Sequence, residues 1–362
     1  MNKININIRS EVETLQKVLV HTPGLEMNLL NSQNTNEFNF DFEKKTFCEN
    51  QDFLLWDDTI YLEGAITEHR EMCQVINSLA GDKVCVQFKE LFEEYHHPWT
   101  EKEIVANLLF TRDLAFSFGS TTVVSWNSKT ARNQENILTN SLFKSHPSLN
   151  GNKVVFFHDT YPDLTIEGGD VMIFDNKTIM IGLSERTKKE SIQALLPHFL
   201  DEGFSNIVGV FLPKERTFMH LDTVLTKIDK NDYLIYESGN PVNYINFTSS
   251  NPRGQNFSSQ NLSDIVKEFD EHATLYNCSQ NEQWTCGSNA LAVSPGKILL
   301  YERNQKTIEN LIQNGGYTGY TPKEIINGEF NDNEKIVVSI NGSELSRGRG
   351  GARCMTMPLV RG

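Results

Sequence analysis

A single α/β domain is the fold class that the sequence predicts, on three observations. Short β-branched runs recur along the whole chain, helical patterns lie between several of them, and no long linker divides the series. A chain of 362 residues has room for one large domain or two ordinary ones, and the unbroken alternation favours one unit over 1–362.

The first run is VLV, from Val18 to Val20. An apolar stripe at helical spacing covers roughly residues 65–79. The runs VVFF at Val154 to Phe157, VMIF at Val171 to Phe174 and TIMIG at Thr178 to Gly182 come next. The clearest helix has Ser184 as a candidate N-cap, carries Ile192, Leu195, Leu196, Phe199 and Leu200 on one face, and stops at Gly203. IVGVFL follows at Ile207 to Leu212. The stretch from Asn240 to Gln260, rich in Asn, Ser, Pro and Gly, reads as a long mobile loop. A helix near 262–272, KILLY at Lys297 to Tyr301, a helix near 306–313 and IVVSI at Ile336 to Ile340 complete the series.

Hydrophobic residues make up 38% and charged residues 22%, the balance of a folded soluble chain. The net charge of −14 repels a phosphate backbone or an anionic membrane, so nucleic-acid and membrane partners are disfavoured. No apolar run approaches the roughly 20 residues of a membrane helix, and MNKININIRS has no apolar signal core, so a cytoplasmic location is expected. The six cysteines, at 48, 73, 85, 278, 286 and 354, form no C-x-x-C pair and read as reduced thiols. Metal-binding patterns such as H-E-x-x-H are absent, and Arg353 stands where a dinucleotide loop starting at Gly348 needs glycine. No metal and no cofactor is therefore expected.

Four segments place charged, nucleophilic or glycine residues beside strand signals. They are Phe110-Thr111-Arg112-Asp113, Glu167-Gly168-Gly169-Asp170, His220-Leu221-Asp222-Thr223, and the stretch from Arg347 to Cys354. Each alone has a plainer reading: a surface ion pair, turn chemistry, a loop-capping histidine, a flexible basic tail. Together they supply the parts for covalent chemistry on a cation, namely a nucleophile, an acid/base, its orienter and anionic clamps.

With these segments in this order the sequence resembles the arginine deiminases of the guanidino-group-modifying superfamily. The likeness runs through KVLVHTPGLE at Lys17 to Glu26, LLWDD at Leu54 to Asp58, NLLFTRD ending at Asp113 and IEGGDV at Ile166 to Val171. It continues in GLSER at Gly182 to Arg186, MHLDT at Met219 to Thr223 and SRGRGGARCMTMPLVR at Ser346 to Arg361. The resemblance implies the pentein fold, a five-bladed ββαβ propeller with the site in its central channel. It also implies Cys354 as nucleophile, His220 as general acid/base, Glu167 as its orienter, and Asp113 and Asp222 as the guanidinium clamp. Asn107, Arg132, Arg186 and Arg349 correspond to the residues that hold the substrate's α-carboxylate. One departure is visible: only Ile76 to Ala106, including the EEYHHPW string around His96 and His97, stands where the family inserts a helical subdomain, so that insert is expected to be largely missing.

The implied reaction is hydrolysis of free L-arginine to L-citrulline and ammonia. The sister activities, an amidinotransferase or a dihydrolase, would use the same covalent intermediate, and assembly into a homo-oligomer is compatible with the sequence. A guanidine-sensing protein without turnover is the reading from another class.

Overall fold

The computed structural model describes residues 3–95 and 105–362. Among these residues one connectivity recurs in five sheets: two antiparallel strands, a helix, and a third strand parallel to the second. Ala115–Phe118 and Thr121–Val124 pair antiparallel, the helix Asn133–Ser145 follows, and Lys153–Phe156 returns parallel to Thr121–Val124. Val171–Ile173 and Thr178–Leu183 repeat this with the helix Lys189–Asp201 and the strand Asn206–Phe211. Leu225–Lys227 and Asp232–Ile235 do so with Leu262–Phe269 and Thr274–Asn277. Leu291–Ser294 and Lys297–Tyr301 do so with Gln305–Gly315 and Lys335–Ile340, beside which Tyr317–Tyr320 adds a further strand. The fifth sheet takes its strands from both ends of the chain: Met357–Arg361 pairs with Leu15–Val20, which is parallel to Cys85–Gln87 after the helix Leu62–Ala80.

Each helix shields one face of its sheet. Ile192, Leu195, Leu196 and Phe199 pack on Ile179, Ile181 and Ile207, and Ala65, Met72, Val75, Ile76 and Leu79 do the same around Val18 and Val338. The apolar runs found by periodicity are therefore strands, and their ends converge.

Four expectations are corrected. The helix assigned from Ser184 begins only at Lys189, because the Ser184 hydroxyl donates to Asp170 Oδ2 at 2.8 Å and accepts from the Arg186 amide at 3.0 Å. The stretch 240–260 is not a long mobile loop. It forms the antiparallel strands Val242–Phe247 and Gln255–Gln260 on the edge of the second sheet, with the Tyr244 and Phe257 rings stacked 4.6 Å apart and Ile245 and Phe247 buried. The helical pattern at 262–272 ends at Phe269. Phe157, expected to close a strand, opens a one-turn helix. Between Ala80 and Ala106 stand the strand Cys85–Gln87 and the helix Phe88–Tyr95, which takes in Glu93, Glu94 and Tyr95 of the EEYHHPW string; its remaining residues, His96, His97, Pro98 and Trp99, lie outside the described residues. The six cysteines are all free thiols, and no helix among the described residues is long and apolar enough to cross a membrane.

Candidate active site

The turn that precedes the first strand of each sheet carries the polar residues of the site. Thr111–Asp113 enters Ala115–Phe118, Gly168–Asp170 enters Val171–Ile173, and Leu221–Thr223 enters Leu225–Lys227. The segment with Asn289 enters Leu291–Ser294, and that with Cys354 enters Met357–Arg361. Contacts link them in a ring. The Arg112 amide donates to Cys354 O at 3.1 Å, the Cys354 amide to Asn289 Oδ1 at 3.3 Å and Asn289 Nδ2 to Asp222 O at 3.1 Å. The Leu221 amide then donates to Asp170 Oδ1 at 2.9 Å, and Gly168 closes the circuit against the Arg112 carbonyl, where a Cβ would lie at 2.1 Å. Residues as far apart in sequence as Arg112 and Cys354 therefore share one small polar centre.

The catalytic candidates meet there. His220 Nε2 lies 2.8 Å from Glu167 Oε2, and Nδ1 lies 3.7 Å from Asp113 Oδ1. Gly169 permits this approach: a Cβ on it would stand 2.6 Å from His220 Nδ1 and 2.8 Å from Asp113 Oδ1. Cys354 Sγ sits 3.7 Å from Asp222 Oδ2. All five side chains are buried.

Burial alone would push the His220 imidazolium towards neutrality, but the charge of Asp113 and the hydrogen bond to Glu167 outweigh it and hold the pKa up at about 10. Glu167 is held down at about 2, since Arg186 and His220 overcome its desolvation. Burial, then the charges of Asp222 and Asp113, hold the Cys354 thiol well above its ordinary value. In the resting site the histidine is thus cationic and the cysteine neutral.

The two clamp carboxylates each have one committed oxygen. Asp113 Oδ2 takes Arg132 Nη1 at 2.6 Å, and Asp222 Oδ2 takes Arg353 Nη1 at 2.8 Å. The other oxygens, Asp113 Oδ1 and Asp222 Oδ1, are buried and have no hydrogen-bond partner among the described residues. An unmatched buried carboxylate oxygen is costly, and two in one centre are the mark of a site that awaits donors. A planar guanidinium offers donors in the fork that two carboxylates accept. Asp113, Glu167 and His220 also stand close enough together to share a metal ion. In this structure both ring nitrogens of His220 face carboxylates, Glu167 at 2.8 Å and Asp113 at 3.7 Å.

The four residues expected at a substrate carboxylate divide into two pairs. Arg132 is spent on the protein: it also bonds Glu135 Oε2 at 2.6 Å and the carbonyls of Asn107 and Phe110 at 2.9 and 3.0 Å. Asn107 Nδ2 donates to Leu54 O at 2.6 Å. Arg186 instead lines a cleft with Lys129 and Thr130, and Arg349 lines a second cleft with Cys286 and Asn289.

Three residues escape motif reading. Asp170 was readable only as a turn former, yet its buried carboxylate fixes the His220 turn through Leu221, and burial raises its pKa to about 7. Asn289 holds both the Cys354 and Asp222 backbones and has no charge or motif to announce it. Arg353 pairs with Asp222 and Glu11 rather than belonging to a flexible basic tail.

Comparison with known proteins agrees with this geometry. The sequence model of the family described as arginine deiminase matches residues 91–361. The arginine deiminase of Mycoplasma capricolum is 27% identical over 415 residues, covering 98% of this chain and 97% of the relative. That of Treponema denticola is 29% identical over 423 residues, covering 98% of each. Among solved structures, the N-terminal domain of ArgZ, an arginine dihydrolase from cyanobacteria, superposes with a TM-score of 0.60 at 16% identity over 95% of this chain and 97% of that one. A dimethylarginine dimethylaminohydrolase adduct with S-methyl-L-thiocitrulline gives 0.58 at 15% identity, over 95% of this chain and 99% of that one. The fold is the α/β fold of these pentein enzymes, and the chain belongs to the arginine deiminase family.

Proposed function

We propose that this member of the arginine deiminase family hydrolyses free L-arginine to L-citrulline and ammonia through a covalent intermediate on Cys354. The observation that carries the proposal is the pair of buried oxygens that lack a hydrogen-bond partner among the described residues, Asp113 Oδ1, which faces the His220 imidazolium at 3.7 Å, and Asp222 Oδ1, on the carboxylate beside Cys354.

A bound guanidinium supplies donors to both oxygens and brings a positive charge between the two anions that raise the thiol pKa. Substrate binding therefore favours the thiolate that must attack, and the thiol proton is released to solvent as the cation binds, His220 being already protonated. Sulfur adds to the guanidinium carbon and the tetrahedral adduct expels one nitrogen. That nitrogen leaves as ammonia only if protonated, and the His220 imidazolium, charged because Asp113 and Glu167 keep it so, donates the proton. The neutral imidazole then takes a proton from water, which attacks the S-alkylthiouronium carbon, releases citrulline and restores the thiol. Glu167 orients the ring in both halves. Arg186 and Arg349 belong to the carboxylate end, while Arg132 serves Asp113 and Asn107 serves the Leu54 loop.

We also infer one catalytic unit over 1–362, with the five sheets as propeller blades; the ring of entry turns and the joining of both chain ends in one sheet support this. The alignments, 415 and 423 residues long against a chain of 362, leave room for the loss of most of the inserted helical subdomain. A cytoplasmic location fits a metabolic reaction on a free amino acid.

Ammonia, citrulline and ornithine measured on purified protein given L-arginine test the assignment. One ammonia and one citrulline per arginine are expected. Two ammonia with ornithine would make it a dihydrolase, and ornithine without ammonia, appearing only with an amine acceptor, an amidinotransferase.

A further inference from the structure

The carboxylate end of the substrate needs anchors, and Arg132 has already committed its guanidinium to Asp113, Glu135 and two carbonyls. A different arginine stands open to the clefts. Arg216, on the short turn Arg216–Phe218 ahead of His220, lines the cleft that holds Arg186 and also the one that holds Arg349. The second of these clefts reaches Asn289, whose amide group contacts both Cys354 and Asp222, so it leads towards the reacting centre.

The local geometry is that of a carboxylate grip. Arg216 is 13% exposed in its side chain, with its guanidinium 4.7 Å from the Phe53 ring centre. Its Nη2 donates to Asp57 Oδ1 at 2.7 Å, while Arg349 Nε lies 3.2 Å from Asp57 Oδ2. One carboxylate thus bridges two guanidiniums, each taking a different oxygen, as a free α-carboxylate would. Asp57 itself is 42% exposed, on a loop where Leu55 adopts the left-handed conformation at φ 69°. Arg216 Nε is buried and lacks a hydrogen-bond partner among the described residues, which leaves a donor to satisfy. Desolvation, with Arg186 adding repulsion, lowers the Arg216 pKa despite Asp57 and Glu37, so the cluster gains from a fully inserted anion.

We propose that Arg216 is a specificity-determining residue that grips the substrate's α-carboxylate together with Arg186 and Arg349, and that Asp57 is the internal counter-ion which this carboxylate displaces. The proposal rests on the reading of the site as one for free arginine. It distinguishes two roles on one rim: Arg216 selects for a carboxylate, and Asp57 keeps the arginines paired between turnovers and competes with the substrate for them.

The test is calorimetric binding of L-arginine and of agmatine, its decarboxylated analogue, in a Cys354→Ser background, together with steady-state citrulline formation in the parent. Arg216→Gln should weaken L-arginine binding tenfold or more, leave agmatine within about twofold, and raise KM with kcat within about threefold. Arg216→Lys should restore part of the preference and keeps the test open if the glutamine variant does not fold. Asp57→Asn should tighten L-arginine binding and leave agmatine alone. Parallel loss for both ligands, or no change for either, would overturn the role of Arg216. Weaker L-arginine binding in Asp57→Asn would overturn the counter-ion role and give Asp57 the α-ammonium instead. If the parent makes no citrulline while the binding contrasts hold, the catalytic reading fails and this one stands.

Discussion

At the floor of the site Glu167 and Asp170 are 0% exposed and each turn is bonded to or packed closely against the next, whereas at the rim Arg216 and Arg349 share a carboxylate that is 42% exposed. The floor is held by buried side chains, Asn289 and Asp170, that bond backbone amides and carbonyls at the strand entries. The rim is held by side-chain ion pairs on a loop. Chemistry needs fixed positions where protons and bonds are exchanged, and it needs exchangeable partners where the substrate is admitted. The same types of residue, arginine and aspartate, serve both purposes, and burial decides which.

Removing the proposed nucleophile gives the largest expected contrast between the two regions. Cys354→Ala should lower citrulline formation by at least about a thousandfold, while L-arginine still binds, because binding draws on the carboxylates and the rim. Activity above a few percent in the variant would remove Cys354 from the mechanism.

The clamp comes next. Asp113→Asn and Asp222→Asn should each reduce kcat/KM by about 100- to 1000-fold, roughly 3–4 kcal/mol, as an amide presents donors to the donors of a guanidinium. Asp113 should show the larger loss of stability, because it also faces Arg132 and His220, whereas Asp222 leaves only Arg353, which keeps Glu11. Equal melting shifts in the two variants would erase that distinction.

That the four candidate motifs meet was legible because the floor is assembled from contiguous turns: FTRD, EGGD, HLDT and the glycine-rich stretch before Cys354 each lie at a strand entry. Periodicity found the strands for the same reason, since a strand buried on both faces is an apolar run whatever its neighbours. What remained hidden depends on tertiary partners. Ser184 looks like a helix cap until Asp170 takes its hydroxyl, and residues 240–260 look like a loop until Tyr244 stacks on Phe257. Asn289, Arg216 and Asp57 lie in no motif that names them as partners, because their roles arise from who faces them across the ring or the mouth.

Titration separates floor from rim in a third way. His220 has a folded pKa of about 10, above its ordinary value near 6.5. Its charge therefore stabilises the fold fully below pH ~6.5, and that contribution declines as pH rises and is lost through about 10. The melting temperature of the wild type relative to His220→Gln should thus fall across pH 7 to 10, by the equivalent of a few kcal/mol at most. A difference that stays level over that range would mean that the carboxylates around His220 do not hold its proton.

The smallest effect is expected one residue away from the proposed counter-ion. Asp58 pairs with Arg347 at 2.6 Å, a shorter contact than the 2.7 Å between Asp57 and Arg216, yet its side chain is 62% exposed and that of Arg347 is 34% exposed. Water and salt screen such a pair, and holding two mobile side chains costs entropy, so it contributes about 0–0.5 kcal/mol. Arg347 also keeps Glu344 as a second partner, 2.9 Å from its Nε. Asp58→Asn should accordingly shift the melting temperature by no more than about 1–2 °C, and raising the salt concentration should shrink even that. Distance favours Asp58 and burial favours Asp57; if Asp58→Asn altered arginine binding as strongly as Asp57→Asn, the rim would be a diffuse field of charge and not a specific bridge between two guanidiniums.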